Sequence, residues 1–98
     1  MSERTPFKPH YGTNQVVNPA AVAAGVTLAK GDKSVRVVNT GANIGYFRIA
    51  NGNATTADCP VAAGTTVIVE KAQDETAMSV ISALGTTFQI MTGEGGYY

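Results

Sequence analysis

Reactive side chains are scarce in this chain of 98 residues, which has a single cysteine, Cys59, and a single histidine, His10. One thiol cannot close a disulfide within the chain. A structural zinc site needs about four ligands, and these two residues alone cannot supply them. The sequence therefore predicts no disulfide, no metal centre and no cofactor site.

Charged residues are also few. Asp, Glu, Lys and Arg make up 14% of the chain and the formal net charge is +0, whereas about 25% is usual for a globular domain. No two basic residues are adjacent, so neither nucleic acid nor an anionic membrane is an expected partner. Two explanations of the low charge stay open: part of the surface is covered in the working state, or Thr, Asn and Ser replace charged residues on the solvated strand faces.

Long apolar segments are absent from the sequence. No run approaches the roughly 18 residues of a membrane span. The start, Met-Ser-Glu-Arg-Thr-Pro, has neither the basic region nor the apolar run of a secretory signal. We therefore expect a protein that is made and kept in a cytoplasm-like compartment.

Short β-strand patterns fill most of the chain, and the clearest lies at residues 34–53. Val35 and Val37 share one face of a first strand, and Phe47 and Ile49 share one face of a second, with an arginine between the members of each pair. This alternation is typical of half-buried strands. The intervening Thr-Gly-Ala-Asn favours a turn, so the stretch is predicted to be a β-hairpin.

Further strands are predicted on both sides of this hairpin. Residues 15–29 are interpreted as strand, short link and strand, with residues 26–29 expected to pair with residues 34–38. Residues 54–64 are a loop or a sheet edge, because Pro60 removes a ladder donor. Strands follow at residues 65–70, 78–82 and 86–92, and a flexible tail at residues 93–98. About seven short strands without a helix predict an all-β fold, an antiparallel two-sheet β-sandwich, with the jelly roll among its topologies and an open barrel as the second choice.

Residues 1–14 form an extended N-terminal arm in this prediction, ahead of a sandwich domain of residues 15–98. Pro6 and Pro9 restrict the arm to extended conformations, which lowers the entropy it loses when it is laid on a surface. Its aromatic rings pack either on the protein's own sheet or on a partner. The candidate partner-binding residues are Arg4, Phe7, Lys8 and Tyr11.

A second candidate interface is the apolar run Val67, Ile68 and Val69, which leaves its strand without a polar side. Such a strand is either central in a sandwich, or it places Ile68 at a subunit interface. Because a closed symmetric assembly would cover an exposed strand edge, we expect a homo-oligomer.

Catalysis has little support in the sequence. A nucleophilic site, as in a small hydrolase, would have to combine Cys59 with Asp58 and His10. Cys59 precedes a proline in a predicted loop, and a lone thiol is more often a small buried hydrophobe. We therefore expect a protein that is not an enzyme, and no catalytic residue is assigned.

Three stretches, taken together, suggest a family. They are residues 35–43 (Val-Arg-Val-Val-Asn-Thr-Gly-Ala-Asn) leading into Tyr-Phe-Arg-Ile at 46–49, residues 58–64 (Asp-Cys-Pro-Val-Ala-Ala-Gly), and residues 85–96, from Gly-Thr-Thr to Thr-Gly-Glu-Gly-Gly. Their order resembles small virion proteins of tailed bacteriophages, β-sandwich proteins of about this length that coat or cement the head or sit at the head-to-tail junction. The resemblance implies a structural protein of the virion, present in many copies, whose partner is the major capsid protein or another virion protein.

Two roles remain open under this resemblance. The first is capsid decoration or cementing, for which an arm or sheet edge must reach neighbouring subunits, and in which a trimer at local threefold positions is favoured over a dimer. The second is a tail, neck or receptor-binding module, for which polar and aromatic residues should gather on loops at one end. Tyr46 is the main candidate for that second role.

Overall fold

The computed structural model describes residues 6–95. Over this range the chain forms nine β-strands and no helix. The strands are β1 (Lys8–Pro9), β2 (Gln15–Val17), β3 (Ala24–Thr27), β4 (Ser34–Asn39), β5 (Gly45–Arg48), β6 (Cys59–Val61), β7 (Thr66–Glu70), β8 (Ala77–Ile81) and β9 (Phe88–Glu94).

These strands make two antiparallel sheets that pack face to face. The five-stranded sheet has the order β1-β9-β4-β7, with β2 also paired to β9, and the four-stranded sheet has the order β3-β8-β5-β6. The strand pairing is nested along the chain, as in one long hairpin that has been folded over. β2 pairs with β9, β3 with β8, β4 with β7, and β5 with β6. Nested pairs divided between two sheets form the jelly-roll topology. The predicted two-sheet sandwich is therefore confirmed, in its jelly-roll form.

The core lies between the sheets and is built from alternate residues of each strand. Val35 and Val37 on β4 and Phe88 and Ile90 on β9 are fully buried, as the period-2 pattern predicts. Phe47 on β5 meets them from the opposite sheet. Each sheet therefore directs one apolar face toward the core, and its other face is directed outward.

Residues 34–53 do not form the predicted hairpin. β4 and β5 lie in different sheets, because residues 40–44 carry the chain across the sandwich instead of back along it. The backbone amide of Thr40 donates to the carbonyl of Thr87, so the chain follows β9 for one residue beyond β4. The second predicted pairing is also wrong, since β3 pairs with β8 and not with β4.

Two assignments near the end of the chain are resolved as well. β7, which contains Val67, Ile68 and Val69, pairs only with β4 among the described strands and is an edge strand. Of the two explanations left open for this apolar run, the central strand is therefore excluded. Gly93 and Glu94 continue β9 as an ordered strand, because Ser34 pairs with Gly93 and Lys8 pairs with Glu94. β6 is an edge strand too, in agreement with the effect expected of Pro60.

Candidate docking surfaces

The outer face of the five-stranded sheet carries a set of apolar side chains around one arginine. Arg36 lies opposite Ile68 on one side and Met91 on the other. The guanidinium of Arg36 contacts the sulfur of Met91, with Nη2 and Sδ 3.7 Å apart. These side chains are half-buried. Val16 lies on the same face, on β2 next to β9, and is 60% exposed. We use the name outer face for Phe7, Val16, Arg36, Val38, Ile68 and Met91.

Phe7, predicted to bind a partner, lies against this face of its own sheet. The strand β1 pairs with the end of β9, and the ring of Phe7 sits below Arg36, with Cζ of the arginine 5.5 Å from the ring centroid. Gly93 makes the approach possible, because a Cβ at this position would collide with the carbonyl of Lys8 and the ring of Phe7. In this structure the arm therefore packs in cis as far as Phe7.

Tyr11 and Lys8 do not join Phe7 in one anchor. The side chain of Tyr11 is 84% exposed, in the turn that follows β1. Lys8 is also exposed, and Arg4 lies outside the described residues. Of the predicted arm residues, one belongs to the packed sheet surface and two remain free for other contacts.

A polar clasp fastens the arm to the domain next to β1. His10 Nδ1 lies 2.6 Å from Asp32 Oδ2, and the hydroxyl of Thr92 donates to the same oxygen at 2.7 Å. Burial alone would raise the pKa of Asp32. The hydrogen bonds from Thr92 and His10, together with the electrostatic influence of His10 and Lys71, outweigh burial and hold that pKa below its ordinary value.

Phe7→Ala and Tyr11→Ala should separate packing in cis from docking on a partner. Phe7→Ala should lower the free energy of unfolding by about 1–2 kcal/mol, because a half-buried ring and a cation–π contact are lost. Tyr11→Ala should change it by less than about 0.5 kcal/mol, as expected for an exposed side chain. Denaturant titration of both variants measures the difference. Equal, negligible losses would show that Phe7 does not contribute to the fold.

Asp32→Asn should destabilise the protein in a pH-dependent way. Since the folded-state pKa of Asp32 lies below its unfolded value of 3.8, its stabilising effect is complete well above that pH and is lost as the pH falls through the folded pKa. We expect a loss of about 1–2 kcal/mol at neutral pH that shrinks below pH 3.8. Thermal melts from pH 2 to 7 measure it, with the exposed Asp74→Asn as the matched control. A loss that is independent of pH would contradict this account.

The three apolar residues of β7 face in two directions. Val67 and Val69 lie opposite Val37 and Val35 and pack on the core, whereas Ile68 lies on the outer face opposite Arg36. Of the predicted oligomer interface, Ile68 is therefore the residue whose side chain points away from the core. The edge of β7 that is not paired with β4 lies next to this side chain.

A second apolar surface lies at one end of the sandwich, on the loops that join β4 to β5 and β8 to β9. Ile44 is 44% exposed and Leu84 is 82% exposed, and with Tyr46 they line a cleft of about 280 Å³. The two loops are held together: Asn43 Nδ2 donates to the carbonyl of Gly85 and the hydroxyl of Ser82 donates to the carbonyl of Ile44, each at 2.8 Å. We call Ile44, Tyr46 and Leu84 the loop-end patch. Sequence analysis identified only Tyr46.

Asp58, Cys59 and His10 do not assemble into a site. Cys59 lies half-buried in β6, at the edge of the sandwich opposite to β1. Asp58 accepts hydrogen bonds from the backbone amide of Thr55 at 2.8 Å and from Arg48 at 3.1 Å. These contacts, that of Thr55 above all, keep the pKa of Asp58 below its usual value, and burial opposes them. His10 is occupied by Asp32.

Neither a cluster of metal-ligating side chains nor a membrane-spanning helix occurs in residues 6–95. This part of the chain contains no group of three or more His, Cys, Asp or Glu side chains placed to hold a metal ion. Nor does it contain a helix long and apolar enough to cross a membrane. Comparison with protein-family models, curated proteins and solved structures finds no significant match to this chain.

Proposed function

We propose that this chain is a non-enzymatic structural protein of a tailed-bacteriophage virion, which decorates or cements the head by binding the lattice of the major capsid protein. The proposal rests on the resemblance carried by residues 35–49, 58–64 and 85–96. The structural observation that supports it best is the outer face, a group of apolar side chains around Arg36 on a chain with only 14% charged residues. A protein that works on a lattice keeps such a surface covered.

The outer face lies on the larger of the two sheets, which has five strands. A stable interface buries about 800 Å² on each partner, so docking by this face would have to cover about that area. Because few charges are involved, attachment through this face should persist in salt of about 0.5 M, where the Debye length is only about 4 Å.

The test is the copy number of this protein in purified particles of a phage that encodes it, measured by quantitative mass spectrometry. Hundreds of copies per particle are expected of a decoration protein, and absence from the particle would refute the proposal. Val16→Ser and Leu84→Ser then form a matched pair, since both side chains are exposed and cost the fold little. A decoration protein that docks by its outer face should lose occupancy with Val16→Ser and keep it with Leu84→Ser.

The second candidate function is a tail, neck or receptor-binding module. It is favoured by the loop-end patch, because recognition surfaces are commonly built on loops that a rigid scaffold holds at one end. The patch is apolar and its two loops are fixed by the hydrogen bonds of Asn43 and Ser82. A handful of copies per particle, with loss of host attachment in Leu84→Ser and not in Val16→Ser, would favour this function over decoration.

A further inference from the structure

The edge of β7 differs from the other sheet edges in the described part of the chain. β1 contains Pro9 and β6 contains Pro60, and a proline offers no backbone donor to an incoming strand. On β3, the carbonyl of Thr27 already accepts a hydrogen bond of 2.6 Å from the side chain of Gln15. β2 also lacks proline and lysine and pairs only with β9 among the described strands, but it has just three residues. β7, Thr-Val-Ile-Val-Glu, has five residues without proline or lysine, and within the described chain it pairs on one side only.

The hydrogen bonds that flank β7 show which of its backbone groups face outward. The amide of Lys71 donates to the carbonyl of Lys33 at 2.8 Å, and the amide of Asn39 donates to the carbonyl of Thr65 at 2.9 Å. In an antiparallel ladder, alternate residues bond to the same neighbour. Val67 and Val69 therefore bond to β4, whereas the backbone groups of Thr66, Ile68 and Glu70 point to the open edge.

We propose that two copies of this chain join edge to edge through β7, in antiparallel register, with Ile68 opposite Ile68 of the second copy. This register places Thr66 opposite Glu70 and Val67 opposite Val69. It forms about six backbone hydrogen bonds between the chains, two for each bonded pair. The inference rests on the proposed function for its setting, since a virion protein acts in many copies.

A second copy is the occupant that this edge fits best. The sequence of β7 is self-complementary in this register, because no like charges meet and apolar residues oppose apolar residues. The net charge of +0 gives the two copies no long-range repulsion. With a twofold axis through Ile68, the outward backbone groups of β7 in both copies are paired with each other. No open β7 edge then remains for a third copy, so the assembly is closed as a dimer. The proposal therefore replaces the trimer favoured by the sequence with a dimer.

Site-directed crosslinking tests the register. In a Cys59→Ser background, Ile68→Cys should form a disulfide-linked dimer on mild oxidation, because bonded antiparallel partners have Cα atoms about 5.5 Å apart, within the range of a disulfide. Thr66→Cys is the matched control, since the two copies of residue 66 would lie about 14 Å apart. The proposal would be overturned if Thr66→Cys crosslinked as fast as Ile68→Cys, or if neither variant crosslinked.

Charge substitution tests the same contact in the full-length protein by light scattering at tens of micromolar. The wild type should have twice the 10.1 kDa mass of the chain. Ile68→Lys and Ile68→Glu should each weaken the dimer by about tenfold or more, because like charges then face each other, and an equimolar mixture should recover it. Val16→Lys, on the same face at the opposite edge, should remain a dimer. A monomeric wild type, or a mixture that does not recover the dimer, would refute the pairing.

The outcomes also separate this inference from the proposed function. A chain that dimerises through Ile68 but is absent from the virion would uphold the pairing and refute the virion role. A monomeric wild type that still occupies phage particles in hundreds of copies would do the reverse. Melting curves of Ile68→Lys and Ile68→Glu show whether each variant is folded. If either is unfolded, the comparison of Ile68→Cys with Thr66→Cys decides whether the two copies pair through β7.

Discussion

Asn39→Ala should lower the free energy of unfolding by about 3–5 kcal/mol, because it removes a buried side chain that makes four hydrogen bonds. Asn39 is fully buried at the end of β4. Its side-chain amide donates to the carbonyls of Asn43 at 2.8 Å and Val61 at 2.9 Å. Its side-chain oxygen accepts from the amide of Gly41 at 3.0 Å and the hydroxyl of Thr86 at 2.7 Å.

The size of the effect follows from what the substitution leaves behind. Alanine would leave two donors and two acceptors without their partner, and each unsatisfied buried group costs about 1–3 kcal/mol, less where water can enter. The loops that carry the loop-end patch should loosen as well, since Asn39 ties one of them to Thr86. Denaturant titration measures the loss, and hydrogen exchange at residues 40–44 reports the loosening.

Asn39→Asp is the informative companion to this variant. A carboxylate has nearly the same shape but cannot donate to Asn43 or Val61, and at neutral pH it buries a charge. The loss should therefore be at least as large as with alanine at pH 7 and should shrink in acid, where the protonated group is neutral and donates one hydrogen bond. A loss below about 1 kcal/mol in both variants would show that water replaces Asn39 at little cost.

The sequence was sufficient to locate most strands and to say which residues of each face the core. The alternation of Val35 with Val37 and of Phe88 with Ile90 is a local property, and the structure keeps it. Pairing is not local. The turn residues at 40–43 suit a hairpin and suit a crossing between sheets equally well, and the choice depends on contacts with Thr86 and Thr87, which lie far along the chain.

The candidate surfaces could be predicted only in part, because single apolar residues are visible in the sequence but their contacts with distant residues are not. The sequence identifies Phe7 as an apolar residue in a predicted arm and Ile68 as one in a strand without a polar side. It leaves open whether Phe7 packs in cis and whether the strand of Ile68 is central. The clasp of His10 and Asp32 joins residues that are 22 positions apart, and no spacing rule connects them. Leu84 lies between the predicted strands at residues 78–82 and 86–92, and its exposure there cannot be inferred from one apolar residue.

Gly45→Ala should be costly for a reason that lies in the opposite sheet. Gly45 begins β5 and is buried, and a Cβ added there would lie 2.5 Å from Cζ and 2.9 Å from Cε1 of Phe88 on β9. Phe88 is itself fully buried and cannot swing away. We expect a loss of about 2–3 kcal/mol from this overpacking. Gly25→Ala in β3 is the control, because nothing lies within 4 Å of its added Cβ, and it should change the stability by less than about 0.5 kcal/mol.

A double-mutant cycle then assigns the cost of Gly45→Ala to this one contact. Phe88→Leu alone should destabilise the protein by about 1–2 kcal/mol, since it removes part of a buried ring and leaves a small cavity. In the Phe88→Leu background the added methyl group of Gly45→Ala occupies part of that cavity instead of meeting the ring edge. The double variant should therefore lose at least about 1 kcal/mol less than the sum of the two single variants, as measured by denaturant titration. Strict additivity would place the strain elsewhere, and it would mean that the two sheets do not meet at Gly45 and Phe88 as described.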